Sequence, residues 1–152
     1  CSVRESSLVQ PETYDLVLFN PPYRRPQQGR QSPVEAENRA RVEKSAGVED
    51  FVRAAAYAVK NKGLVHLVFL AERLSPLMRA LSEYRLEPKR MRPVHGRTGR
   101  SASQVLIEAR KNGGEGLSVE PPLILYSGES GGLTEQALRF CPFLECNMRE
   151  RR

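Results

Sequence analysis

The stretch Tyr14–Tyr23 reads YDLVLFNPPY, and the fold turns on its first six residues. Leu16–Phe19 and their flank are apolar and β-favouring, the pattern of a strand buried on both faces of a parallel sheet. The strand stops at Asn20. Pro21 and Pro22 have no backbone N–H with which to continue a ladder, and Pro21 biases Asn20 away from helical dihedrals. This predicts a stiff loop at the carboxyl end of a central strand, where open α/β sheets place their ligands. Three groups are thereby fixed in a small volume: the Asn20 carboxamide, the Pro21 carbonyl and the Tyr23 ring.

These groups suit a planar amine. An amide oxygen and a backbone carbonyl each accept one N–H of an exocyclic NH2, while an aromatic face stacks on the ring that carries it. The lone pair of such an amine is delocalised into its ring. Acceptors placed out of the ring plane favour a more tetrahedral nitrogen, aim the lone pair at an electrophile and stabilise the positive charge that develops, without a general base. The plainer alternative is an Asn-Pro-Pro turn closing a strand, with Tyr23 as an ordinary packing aromatic. The preceding D-L-V-L-F run favours the functional reading.

At Asn20-Pro21-Pro22-Tyr23 the chain resembles the class I, S-adenosylmethionine-dependent amino-methyltransferases, in which such a motif follows the fourth strand. The resemblance implies that Asn20 and Pro21 hold the target amine, that Pro22 completes the catalytic corner and that Tyr23 stacks on the base. The motif is shared by adenine N6, guanine N2 and glutamine N5 enzymes, so it names the chemistry and leaves the substrate open. It also implies a cofactor contact from Asn20 and one at Ser2, where the family carries an acid. The glycine-rich cofactor loop would lie ahead of Cys1. Gly113, Gly114 and Gly116, and Gly128, Gly131 and Gly132, fall in turn-like sequence late in the chain and not between a strand and a helix. The expected fold is therefore α/β, the C-terminal half of a Rossmann-like class I methyltransferase sheet ending in an antiparallel hairpin. Residues 1–140 form its substrate side and 141–152 a tail. Without the cofactor half the chain alone is expected to be inactive. Its motif strand would lie at a sheet edge, open to self-association or to pairing with the missing N-terminal half.

The chain has 152 residues, 39% of them hydrophobic and 28% charged, enough for one ordinary domain with a sizeable core. No apolar run approaches the roughly twenty residues that span a bilayer, and no signal peptide opens the sequence, so no membrane partner and a cytoplasmic address are expected. A net charge of +6 and an isoelectric point near 9.5 favour a polyanionic partner. Cys1, Cys141 and Cys146 lack a zinc-ligand spacing and read as reduced thiols, with no metal expected. His66, inside an apolar run, reads as a satisfied core or edge residue.

Residues 24–39 are polar, with two prolines and a glycine, and predict a mobile loop. Arg24, Arg25 and Arg30 stand beside the motif, where they either meet phosphates or simply solvate the surface. Val48–Lys60 predicts a helix stopped by Gly63, with Lys60 and Lys62 at the negative end of its dipole. Leu64–Leu70 predicts a second two-faced strand and Ala71–Tyr84 an amphipathic helix with Leu74, Leu77, Met78 and Leu81 inward. Leu86–Val94 and Ser103–Ala109 predict an antiparallel pair.

Between Arg85 and Arg100 six basic residues meet one acid, Glu87, a local charge of +5 that is nearly the net charge of the protein. Lys89, Arg90, Arg92, His95, Arg97 and Arg100 are accordingly candidates for phosphate contact. The ordered set A-R-V-E at 40–43, P-K-R-M-R-P-V-H at 88–95, V-L-I-E-A at 105–109 and P-P-L-I-L-Y at 121–126 resembles the bacterial tRNA adenine-37 N6-methyltransferase subgroup. That resemblance implies RNA, and tRNA in particular, as the partner and substrate. Two alternatives stay open: glutamine N5 methylation of a release factor, against which Arg24-Arg25-Pro26 and the basic hairpin count, and a non-catalytic RNA-binding fragment.

Overall fold

In the computed structural model, which describes residues 9–21, 47–128 and 131–144, the apolar run Tyr14–Phe19 forms strand β1. It lies parallel to β2 (Val59–Leu70), with Phe19 opposite Leu67. Helix α1 (Val48–Ala58) precedes β2 directly. A 3-10 turn (Ala71–Arg73) and helix α2 (Leu74–Glu83) follow it and lead into β3 (Leu86–Arg97). β3 folds back as an antiparallel hairpin with β4 (Ala102–Lys111), and β4 inserts between β3 and β2. Short strands β5 (Ser118–Val119) and β6 (Leu123–Ser127) run parallel to the free side of β3. β7 (Gly132–Leu133) and helix α3 (Glu135–Phe140) complete the described chain. The sheet order is β1-β2-β4-β3-β6-β7, with β5 also beside β3.

Period-two alternation places Val65, Leu67 and Phe69 of β2 on one face with Val105, Ile107 and Ala109 of β4. Against them pack Val52, Ala55 and Ala56 of α1 and Leu77, Ala80 and Leu81 of α2. Burial of each large side chain contributes about 1.5–3 kcal/mol, so this single layer of helices supplies most of the apolar stabilisation. Phe19 joins β1 to it by stacking on Phe51, ring centroids 6.4 Å apart and planes at 14°. Thr134 caps α3, its hydroxyl accepting from the Ala137 amide at 3.0 Å and donating to the Ile124 carbonyl at 2.5 Å.

Three expectations are corrected. β1 is not buried on both faces: Val17 and Phe19 are half-buried, but Leu16 and Leu18 are 55% and 74% exposed. Among the described residues nothing covers that face, and no strand pairs with the outer edge of β1. Helix α1 ends at Ala58, two residues early, because β-branched Val59 pairs with Tyr14. Gly63 is thus no helix stop. It lies in an irregular start of β2, where the register jumps from Tyr14–Val59 to Leu16–Leu64 and Lys62 takes a positive φ of 65°. A Cβ on Gly63 would sit 2.7 Å from Val59 Cγ2 and 3.0 Å from the Asp15 carbonyl oxygen. The cation at the end of α1 is also a different one. Lys60 pairs with Asp15 and Lys62 Nζ donates to the Asn112 carbonyl, while Lys111, from β4, donates to the Ala56 carbonyl at 2.6 Å and the Val59 carbonyl at 3.1 Å.

Candidate functional site

The strand directions decide which predicted residues share an end of the sheet. β1 and β2 are parallel, β4 is antiparallel to both, and β3 is antiparallel to β4. The carboxyl end of β1, with Asn20 and Pro21, therefore lies at the same sheet end as the 3-10 turn after β2, the β3–β4 turn and the carboxyl end of β6. Pro21 is buried and Asn20 exposed, so the corner is anchored at its proline and meets solvent at its asparagine. Pro22 and Tyr23, the loop arginines Arg24, Arg25 and Arg30, and Ser2 lie outside the described residues.

The six basic positions of the hairpin separate by depth. Arg97 and Arg100 sit at its tip, where Arg100 N–H donates to the Arg97 carbonyl at 3.2 Å across a turn whose Gly99 has a φ of 74°. His95 Nδ1 lies 2.6 Å from the Arg100 carbonyl oxygen. That bond requires a proton on Nδ1 and fixes the tip against β3. Both tip guanidiniums are exposed at the Asn20 end. The tip stands three strands from β1, about 15 Å at ~4.8 Å per strand, and projects about 15 Å beyond the level of Asn20.

Lower in the hairpin the charges are paired. Arg90 and Arg92 both bind Glu120, their Nε atoms donating to its two carboxylate oxygens at 2.7 Å each. The Arg90 hydrogen bond, helped by Arg92, holds the Glu120 carboxyl below the usual carboxylate range against the opposing effect of desolvation. Arg90 and His66 Nε2 each lie 3.7 Å from Glu108, which sits between them on β4. Arg92 also rests over the Phe140 ring, 5.6 Å from its centroid, beside a groove of about 430 Å³ lined by Glu135, Gln136 and Arg139. Lys89 Nζ donates to the Gly114 and Glu115 carbonyls at 2.9 and 3.1 Å. The local excess of +5 was counted along the chain, whereas Glu108 and Glu120 answer it from neighbouring elements.

One basic residue at the Asn20 end was not singled out as a site candidate. Arg73, in the turn after β2, stands between β1 and the hairpin tip, its guanidinium 5.7 Å from the Phe69 ring centroid. A lone arginine at the start of a predicted amphipathic helix gave no signal; only the parallel pairing of β1 with β2 puts it there. Among the described residues no group of three His, Cys, Asp or Glu side chains is placed to hold a metal, and no helix is long and apolar enough to cross a membrane. Cys141 is a free thiol.

No sequence-family model matches the chain, and neither does any curated protein sequence. Solved structures do match. A predicted O-methyltransferase of Agrobacterium tumefaciens superposes with a TM-score of 0.67 at 20% identity, over 96% of this chain and 57% of its own. A protein of Thermus thermophilus assigned as a DNA modification methylase gives a TM-score of 0.51 at 14% identity, over 76% of this chain and 53% of its own. The same protein complexed with S-adenosyl-L-methionine gives 0.51 and 14%, over 74% and 54%. This chain thus spans just over half the length of each of these structures. Its fold is part of a Rossmann-like class I methyltransferase sheet, with the antiparallel β3–β4 hairpin inside it, between β2 and β6.

Proposed function

We propose that this chain is the substrate-side portion of an S-adenosylmethionine-dependent N-methyltransferase that methylates the exocyclic N6 amine of adenine in RNA, tRNA being the favoured acceptor. The observation that carries the reading is the shared sheet end. The Asn20–Pro21 corner and the exposed Arg97 and Arg100 open to the same side. A base drawn out of an RNA loop would reach the corner while the hairpin tip meets a neighbouring phosphate. Asn20 Oδ1 and the Pro21 carbonyl oxygen accept the two amine N–H bonds, and Tyr23 stacks on the ring. The choice of RNA rests on the sequence resemblance of residues 88–95 and 105–109. A basic tip serves either nucleic acid.

The described residues do not by themselves form a methyl-donor site. Asn20 is the one described candidate for contact with the donor. Of the described glycines Gly47 caps α1, Gly63 lies in β2, and the others fall at or beside the hairpin tip and in the β4–β5 and β6–β7 segments, so no glycine-rich loop links a strand to a helix among them. S-adenosylmethionine would supply an electrophilic methyl group; what this chain contributes is the hold on the amine, the stacking surface and the phosphate contact.

The test is Asn20→Ala in the complete gene product. It abolishes methyl transfer to RNA while circular dichroism and melting temperature stay unchanged, since Asn20 is exposed. Near-normal turnover would remove Asn20 from its assigned role. Parallel assays with structured RNA and with duplex DNA decide the acceptor.

A further inference from the structure

The far rim of the sheet, at the same end as Asn20, sets an aromatic ring beside a cation. Arg97, the last residue of β3, lies opposite Tyr126 of β6 in parallel register, and His95 lies opposite Ile124, so the four side chains share one face. Leu133 of β7, opposite Tyr126, extends the row. Met91, packed among the core side chains under the helices, marks this as the face of α1 and α2, by period-two alternation along β3. Those helices pack on β1, β2 and β3, whereas α3 packs on β6 from the other side, where Leu123 and Ala137 are buried.

Other aromatics at this end of the sheet are already engaged. Phe19 stacks on Phe51, and Phe69 is 1% exposed with the Arg73 guanidinium over its ring. Tyr126 is half-buried; among the described residues no aromatic or cationic group lies over its ring, and its hydroxyl has no hydrogen-bond partner. Arg97 is exposed and, unlike Arg90 and Arg92, makes no ion pair with a described carboxylate. Its guanidinium extends towards the β6–β7 connection, Nη2 lying 3.9 Å from where a Cβ on Gly131 would stand. A ring on a sheet face with a cation on the neighbouring strand is a way in which sheets hold unpaired nucleotides: the ring stacks on a base of any identity and the cation meets phosphate. A base inside a duplex offers no such face. Tyr126 is four strands from β1, about 19 Å at ~4.8 Å per strand, too far to touch a base held at Asn20.

We propose that Tyr126 and Arg97 form a second nucleotide site, which holds an unpaired nucleotide flanking the target: the ring stacks on its base and the guanidinium meets its phosphate. This rests on the reading that the Asn20 end of the sheet meets nucleic acid, and it narrows the substrate to one that is single-stranded beside the target base as well as at it.

The probe is a fluorescein-labelled single-stranded RNA of about ten nucleotides, compared by fluorescence anisotropy with the DNA strand of the same sequence and with the duplex, no cofactor being added. The single strands bind more tightly than the duplex. Tyr126→Leu weakens single-strand binding about tenfold and leaves its salt dependence unchanged, while Tyr126→Phe, which keeps the ring, binds as the parent does. Arg97→Gln lowers the slope of log affinity against log salt by about 0.7, the share of one phosphate on a single strand. In the parent chain the Tyr126 ring protons move upfield as RNA is added, a readout that needs no substitution. A duplex bound as tightly as the single strand overturns the inference, as does parent-like binding by Tyr126→Leu, a parent-like salt slope in Arg97→Gln, or a Tyr126 ring unmoved by bound RNA. Equal affinity for RNA and DNA strands upholds the site and shows that it does not read the sugar. Because the readout is binding alone, absence of methyl transfer leaves this result standing, and a failed Tyr126 test leaves the Asn20 test standing.

Discussion

The two faces of the sheet are made from the same strands and behave as different materials. On the helix side, β2 and β4 present Val65, Leu67, Phe69, Val105, Ile107 and Ala109, all buried beneath α1 and α2. On the other side the same strands present Leu64, His66, Val68, Leu106 and Glu108, which are half-buried, and β1 adds the exposed Leu16 and Leu18. One residue of offset along a strand thus separates a packed core from a surface of mixed leucines and ion pairs. The difference teaches that the first face holds most of this chain together, while the second is held by local pairs such as those of Glu120 and, at its β6 end, by α3, where Leu123 and Ala137 are buried.

Substitutions can break or sharpen that contrast. Phe69, 1% exposed and the largest fully buried side chain, tests the packed face. Phe69→Ala should destabilise by about 3–5 kcal/mol in urea unfolding, the usual cost of emptying an aromatic site in a core. A loss comparable to that of a surface change would mean that the helices do not pack as described. Glu120 tests the ionic part of the open face and should show a smaller loss with a pH signature. Its carboxyl is held below the usual range by Arg90 and Arg92, so the pairing is fully present at neutral pH and drains away as pH falls through that lowered value. Glu120→Gln should therefore narrow the stability difference from wild type on acidification, until the two proteins unfold alike in acid. A difference independent of pH would show that packing, not charge, holds Glu120. The smallest effect belongs to Leu18. At 74% exposure, Leu18→Ser should shift stability by no more than about 0.5 kcal/mol; a core-sized loss would mean that something covers it.

Much of this was readable in the residues. The apolar runs at 14–19 and 64–70, and the amphipathic period through Leu74, Leu77, Met78 and Leu81, gave strands and a helix at the right places. Val94 and Ser103 were correctly set on opposite arms of a hairpin. What failed was anything that depends on a partner across the fold. Composition cannot distinguish a two-faced buried strand from one whose second face is bare, so Leu16 and Leu18 looked like core. Lys111 gave no sign that it would bind the end of α1, 52 residues away at Val59. For the candidate site, the Asn20 corner came from local chemistry alone. The division of the basic hairpin did not, because Glu108 and Glu120 lie outside the stretch in which the charge was counted. Arg73 was placed at the Asn20 end of the sheet only once the β1–β2 pairing was known.

The central claim is that the Asn20–Pro21 corner serves the exocyclic amine of a base. Its most direct measurement is the fate of the methyl group when the complete gene product is incubated with methyl-labelled S-adenosylmethionine, structured RNA and a release factor together, followed by digestion and mass spectrometry. The expected result is label in N6-methyladenosine from the RNA, lost in Asn20→Ala. Label in methylglutamine, or in no acceptor at all, would contradict it.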